Sequence, residues 1–129
     1  MRSVDTNLVV RTIVRDDAKQ ASAAEAFIRK GAWVSHLVLA ETTWVLRAAY
    51  QLSPHDIANA VEMMLDHEHM VVQDPDVVAA ALANFRSRPS VGFSDCLILE
   101  IARKAGHLPL GTFDRGLSRI AGTEKIESR

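Results

Sequence analysis

Four of the chain's 16 acidic residues stand in settings that an ordinary surface charge does not explain. Asp5 ends the first short apolar stretch, in "VDTNLVV". Glu41 lies inside "LVLAETTWVL", Asp95 opens the apolar run "SDCLILEIA", and Asp114 follows "LPLGTF". Taken singly, some have plain explanations. Asp5, with Thr6 and Asn7, can bond to nearby backbone and hold a turn, and Asp95 suits the first turn of a helix, where the dipole favours an acid. Glu41 is harder to place, because an unpaired carboxylate in apolar surroundings is costly. Arg47 lies nearly two helical turns away, a poor ion-pair spacing. Carboxylates about 4 Å apart repel by roughly 4 kcal/mol at an effective dielectric of 20. Such a cluster persists if it takes up protons or binds a cation. Hard oxygen ligands select Mg²⁺ or Mn²⁺, and a carboxylate-held metal pair can activate water and steady the leaving oxygen of a phosphodiester.

The elements that must position these acids alternate along the chain. Residues 2–5 suit a short strand. "LVVRTIVR" is β-branched enough for a strand, yet its apolar residues also recur at helical spacing, so pattern alone leaves it open. "DDAKQASAAEAFIRKG" has the acidic start, alanine-rich middle, basic end and closing Gly31 of a helix. "AWVS" and "MVVQ" suit strands, and "HLVLAETTWVLRAAY" a mostly buried helix. Ser53–Pro54 and Asp74–Pro75 are cap-then-proline helix starts. "FSDCLILEIARKAG" is a helix closed by Gly106, "LPLGTFD" a strand running into a loop, and "EKIES" a last edge strand. Strands separated by helices imply a mostly parallel sheet with helices on both faces. Ligands in such folds bind at the carboxyl ends of the strands, and Asp5 and Asp114 stand at such ends.

Composition narrows the class. A chain of 129 residues, 48% hydrophobic, suits one domain spanning 1–129. No apolar run reaches the roughly 18 residues a membrane helix needs, and no secretory pattern opens the chain. A single cysteine, Cys96, excludes an internal disulfide, and no Cys/His spacing suits zinc. A cytoplasmic protein is expected. Of the 15 basic residues 11 are Arg, the side chain that forks onto phosphate and carboxylate; the net charge of −1 neither requires nor forbids a nucleic-acid partner.

"VDTN", a Glu in an apolar helix about 35 residues on, "FSDCLI" and "GTFDRGL" together resemble a PIN-domain ribonuclease, and in particular the VapC-type toxins of prokaryotic toxin–antitoxin modules. The likeness covers nearly the whole chain, with the four motifs in order and in register. It implies a PIN-like three-layer α/β/α sandwich around a central, mostly parallel sheet, with residues 8–14 helical. It also implies a Mg²⁺- or Mn²⁺-dependent endoribonuclease, with tRNA and rRNA the candidate substrates. A homodimer neutralised by a small VapB-type antitoxin is expected. By position, Asp5, Glu41, Asp95 and Asp114 would be the catalytic, metal-holding acids, with Asn7 and Thr112 supporting them by hydrogen bonds. Many relatives carry a second acid after "DR"; Gly116 stands there, so no fifth ligand is expected.

Remaining features have simpler readings. "HEH", His67 to His69, suits a solvated helix end, since neighbouring helical residues point apart. Cys96 is expected to be a small buried hydrophobe, Trp44 and Phe27 core, and Met63, Met64 and Met70 core filling. "FRSRPS" is expected as a loop whose Arg86 and Arg88 could hold RNA phosphates near Asp95. Two other classes stay open. A Mg²⁺-dependent phosphotransfer protein would need a Lys near a late strand end, whereas Lys104 precedes that strand and Arg115 follows Asp114. A non-catalytic PIN-like binding module would be expected to lack one of the four acids, and none is missing.

Overall fold

Five of the six α-helices begin where a short polar residue, Asp5, Asp17, Ser35, Ser53 or Asp74, stops a strand or loop. The computed structural model describes residues 1–128. Strand β1 (Arg2–Ser3) runs through Val4 into helix α1 (Thr6–Val14), capped by Asp5, whose Oδ1 accepts the Leu8 N–H at 3.0 Å. Asp17 caps α2 (Ala18–Ile28) through Gln20, and Ser35 caps α3 (His36–Ala48) through Val38, after strand β2 (Ala32–Val34). Ser53 caps α4 (Pro54–Asp66), with Pro54 opening the helix as expected, ahead of β3 (Met70–Val72). Helix α5 (Pro75–Ser87) follows, then a 3-10 turn (Pro89–Val91) and α6 (Phe93–Ala105). The chain ends with β4 (Leu110–Thr112), a second 3-10 turn (Leu117–Arg119) and β5 (Thr123–Lys125).

Every strand pair is parallel. β1, β2 and β3 form one sheet in that order, with Ala32 opposite Arg2 and Met70, and β4 pairs with β5. Helices and parallel strands stack as a three-layer α/β/α fold. The expected last strand forms at Thr123–Lys125, starting one residue before "EKIES" and including its first two residues. In β2 and β3 the residues alternate, Ala32, Val34, Met70 and Val72 facing the core while Trp33 and Val71 face outward side by side.

Core packing decides the segment that pattern left open. Residues 6–14 are helical because that conformation buries Val9 and Val10, Val9 joining the core cluster that holds Val34, Leu39 and Leu46. Burying such side chains contributes about 1.5–3 kcal/mol each, more than the few tenths by which β-branching disfavours a helix. Asp74 departs from expectation: it precedes α5 at a left-handed φ of 42° and bonds no backbone N–H, its carboxylate going instead to Lys104 of α6. Among the described residues Glu100 is the one buried carboxylate, 7% exposed, and it accepts hydrogen bonds from Asn84 Nδ2 and Arg103 Nε, both at 3.0 Å. Arg103 continues to the Ala121 carbonyl, so one ion network ties α5, α6 and the C-terminal segment together. No helix among the described residues is long and apolar enough to cross a membrane.

Candidate active site

The acids arrive from four separate segments, each fixed by local chemistry. Asp5 is held by its capping bond, which engages Oδ1. The next residue, Thr6, donates from Oγ1 to Glu41 Oε2 at 3.0 Å, tying the start of α1 to the middle of α3. The supporting hydrogen bond on this side thus comes from Thr6. Asn7 is exposed and lines a groove between α1 and α2 with Leu8, Arg11 and Phe27. Thr112 bonds to the backbone of its neighbouring acid: its Oγ1 accepts the Asp114 N–H at 3.0 Å, and Asp114 Oδ1 accepts the Leu117 N–H at 3.0 Å.

Glu41 is not buried, contrary to its apolar sequence surroundings. Helix α3 buries Leu39, Thr42, Thr43 and Leu46 and turns Leu37, Glu41 and Trp44 to solvent, with Trp44 68% exposed rather than in the core. The exposed stripe is itself apolar, so hydrophobicity alone could not tell one face from the other.

Asp95 lies in the first turn of α6, whose entry Gly92 makes at φ 84°, a conformation that a side chain would strain. It is half-buried, and its carboxyl is held above the ordinary aspartate range, first by burial and then by the negative charge of Asp114. The helix dipole, which would act in the opposite sense, does not win. Cys96 is fully buried as expected, and burial, with Asp95 and Glu100 nearby, pushes its thiol up to about 11.

The acids therefore fall into two neighbourhoods, Glu41 bonded to the residue that follows Asp5 and Asp95 close to Asp114, and α3 packs against both α1 and α6. Among the described residues no three His, Cys, Asp or Glu side chains converge closely enough to hold one ion as they stand. The donor set nevertheless fits a hard divalent cation. Asp5 and Asp114 each keep one oxygen on backbone, leaving the other available, and Asp95 pays a charge penalty that a cation would relieve. Gly116 has a physical meaning too: a Cβ there would lie 3.2 Å from Asp114 Oδ1, so a larger residue would crowd that carboxylate.

The arginines are arranged differently from the expected loop. Arg86 belongs to the last turn of α5 and pairs with Glu62 of α4 at 2.9 Å; Arg88 follows as the exposed residue that ends the helix. His67 ends α4, Met64 and Met70 are buried, and Met63 is partly exposed beside a cavity of about 500 Å³ that His67 and His69 also line. Phe27 is half-buried, packed against the core, with Arg2 stacked on its ring. Lys104 is bound to Asp74 and Asp76, which removes it as the lysine a phosphotransfer site would need.

The family model described as the PIN domain matches residues 3–123. No curated protein and no solved structure gives a significant match. A match over nearly the whole chain, enclosing all four acids, is decisive: the protein belongs to the PIN-domain family, whose members are generally metal-dependent nucleases.

Proposed function

We propose that this chain is a metal-dependent endoribonuclease and the toxin of a VapBC-type pair, working as a cytoplasmic homodimer neutralised by a VapB-type antitoxin. The observation that carries the nuclease part is Asp95 itself, half-buried in the first turn of α6 and close enough to Asp114 for that charge to disfavour its ionised form. Such a pair is poised to gain from a bound divalent ion. The toxin part draws support from the order and spacing of "VDTN", Glu41, "FSDCLI" and "GTFDRGL".

Asp5, Glu41, Asp95 and Asp114 would hold Mg²⁺ or Mn²⁺. When bound, such an ion polarises the phosphodiester and lowers the pKa of water that attacks it. The chain's own residues supply position. Thr6 fixes the Glu41 carboxylate, Asp5 and Asp114 are oriented by the Leu8 and Leu117 N–H groups, and Thr112 steadies the Asp114 turn. A second reading, a PIN-like module that binds without cleaving, draws on the lack of three converged ligands.

Brief induction of the protein alone, followed by sequencing of RNA ends, tests the proposal. Growth arrest with a narrow set of new RNA ends is expected. Unchanged ends at good yield of folded protein would overturn it.

A further inference from the structure

The nuclease site has a neighbour that its chemistry does not use. A cleft of about 180 Å³ opens where α3 and the start of α6 meet the first turn of α4 and the end of α5, and its lining includes Trp44 and Arg47 of α3 and Phe93, Ser94 and Asp95 of α6. We propose that this cleft receives one unpaired nucleobase of the RNA substrate, stacked on the Trp44 indole, with Arg47 holding an adjacent phosphate. The proposal rests on the nuclease reading and extends it to substrate class.

Size favours a single ring system. Pockets for drug-sized ligands run to about 300–1,000 Å³, so this cleft is too small for a helix or a folded peptide. Position favours the substrate, because Asp95 is part of the wall and whatever fills the cleft lies against the acidic site. Exposure points the same way. The chain holds 4 Phe, 2 Trp and 1 Tyr, and the two most exposed among the described residues, Trp44 at 68% and Phe113 at 70%, stand beside the acids: Trp44 on the Glu41 face of α3, Phe113 next to Asp114. An aromatic ring in water contributes nothing to the core, but it offers a base a flat apolar partner.

Charge completes the fit. The acids repel an RNA phosphate, so a fixed cation beside them is needed to seat the strand. Arg47 follows Trp44 by three positions, on the same side of the helix, and forms no ion pair among the described residues. Stacking on Trp44 also requires a free ring face. Paired bases cover their faces with one another, so loops, bulges and single strands qualify and duplex RNA does not.

The test measures binding of the full-length protein to a short mixed-sequence RNA, single-stranded or annealed to its complement, with Ca²⁺ replacing Mg²⁺. The variants are Trp44→Ala, Trp44→Phe and Arg47→Ala, each checked for its melting temperature, Mn²⁺ response and oligomeric state. Trp44→Ala should weaken single-strand binding about tenfold, within the 5- to 150-fold range of a lost base stack, and leave duplex binding and the Mn²⁺ response unchanged. Trp44→Phe should keep most of the affinity, and Arg47→Ala should lower the salt dependence. Equal single-strand affinity in wild type and Trp44→Ala, with wild-type cleavage intact, overturns this proposal alone. So does a loss of affinity that merely tracks dissociation of an oligomer, which would make Trp44 a protein interface. A wild type that neither binds single strands nor responds to Mn²⁺ overturns the nuclease reading as well.

Discussion

Replacing Asp95 by Asn removes one charge at nearly constant shape, and its effect on stability should reverse sign with metal. Without metal, Asp95 is half-buried beside Asp114 and its charged form is disfavoured. Because it keeps substantial solvent contact, a water-like repulsion of about 1 kcal/mol at 4 Å is the appropriate ceiling. With an unfolding entropy of about 2.1 cal/mol/K per residue, the 129-residue chain shifts its melting temperature by about 4 °C per kcal/mol. Metal-free Asp95→Asn should therefore melt level with the wild type or up to about 4 °C higher. Mn²⁺ at about 100 times its dissociation constant adds about 2.7 kcal/mol to the wild type, or about 10 °C. A variant binding a hundredfold more weakly gains RT ln 2, about 0.4 kcal/mol, or about 1.5 °C. The pH dependence has a definite sign. An acid whose folded pKa is raised destabilises the fold above that pKa, and the effect vanishes below the unfolded value near 4. The metal-free difference between variant and wild type should close as the pH falls toward 4. Thermal melts of both proteins, with and without Mn²⁺ and at several pH values, make the measurement. If Asp95 were only a dipole-favoured helix-start acid, the variant would melt lower by a few tenths of a kcal/mol, and both would respond to Mn²⁺ alike. That pair of results would mean that Asp95 shares no metal site with Asp114.

Three further outcomes are expected. Asn84→Ala strips a hydrogen bond from buried Glu100 and should cost about 1–3 kcal/mol by chemical denaturation, with Mn²⁺ response unchanged; a loss below about 0.5 kcal/mol would mean that the network is not a structural tie. Cys96, fully buried with its thiol pushed up to about 11, should resist alkylation at pH 8 until the protein unfolds, whereas modification within minutes of the native protein would contradict that burial. If Arg88 touches an RNA phosphate, Arg88→Ala should lower the single-strand salt slope by about 0.7, while Arg86→Ala, already paired with Glu62, should leave it unchanged; equal slopes in all three proteins would make both side chains bystanders.

Much of the architecture was legible because helix starts are written locally. Asp17, Ser35 and Ser53 cap as their types suggest, Pro54 and Pro75 open helices, and Gly106 closes α6 at φ 82°. Where long-range packing decides, local signals ran out. Residues 6–14 carry strand propensity yet form a helix to bury Val9 and Val10. Trp44 reads as core by type but faces water, and Glu41 reads as buried but is exposed, because α3 presents an apolar stripe on its open side. The carboxylate that is buried, Glu100, lies in an ordinary-looking "LEIARK" and is satisfied by Asn84 and Arg103, partners that only the folded chain supplies. Asp5, Glu41, Asp95 and Asp114 stand out in the sequence by type and setting, and Thr112 by its place before Asp114. The bond from Thr6 to Glu41 spans 35 positions and leaves no mark in either neighbourhood of the sequence.

Whether Asp5, Glu41, Asp95 and Asp114 form one metal-dependent nuclease site is decided by incubating the purified protein with end-labelled single-stranded RNA. Mn²⁺, Mg²⁺ and chelator are compared for the wild type and for Asp5→Asn, Glu41→Gln, Asp95→Asn and Asp114→Asn. Discrete products are expected from the wild type with either metal, none with chelator, and loss of most cleavage in every folded variant. Cleavage that survives the chelator, or folded Asp95→Asn and Asp114→Asn proteins cutting at the wild-type rate, would contradict a shared metal site.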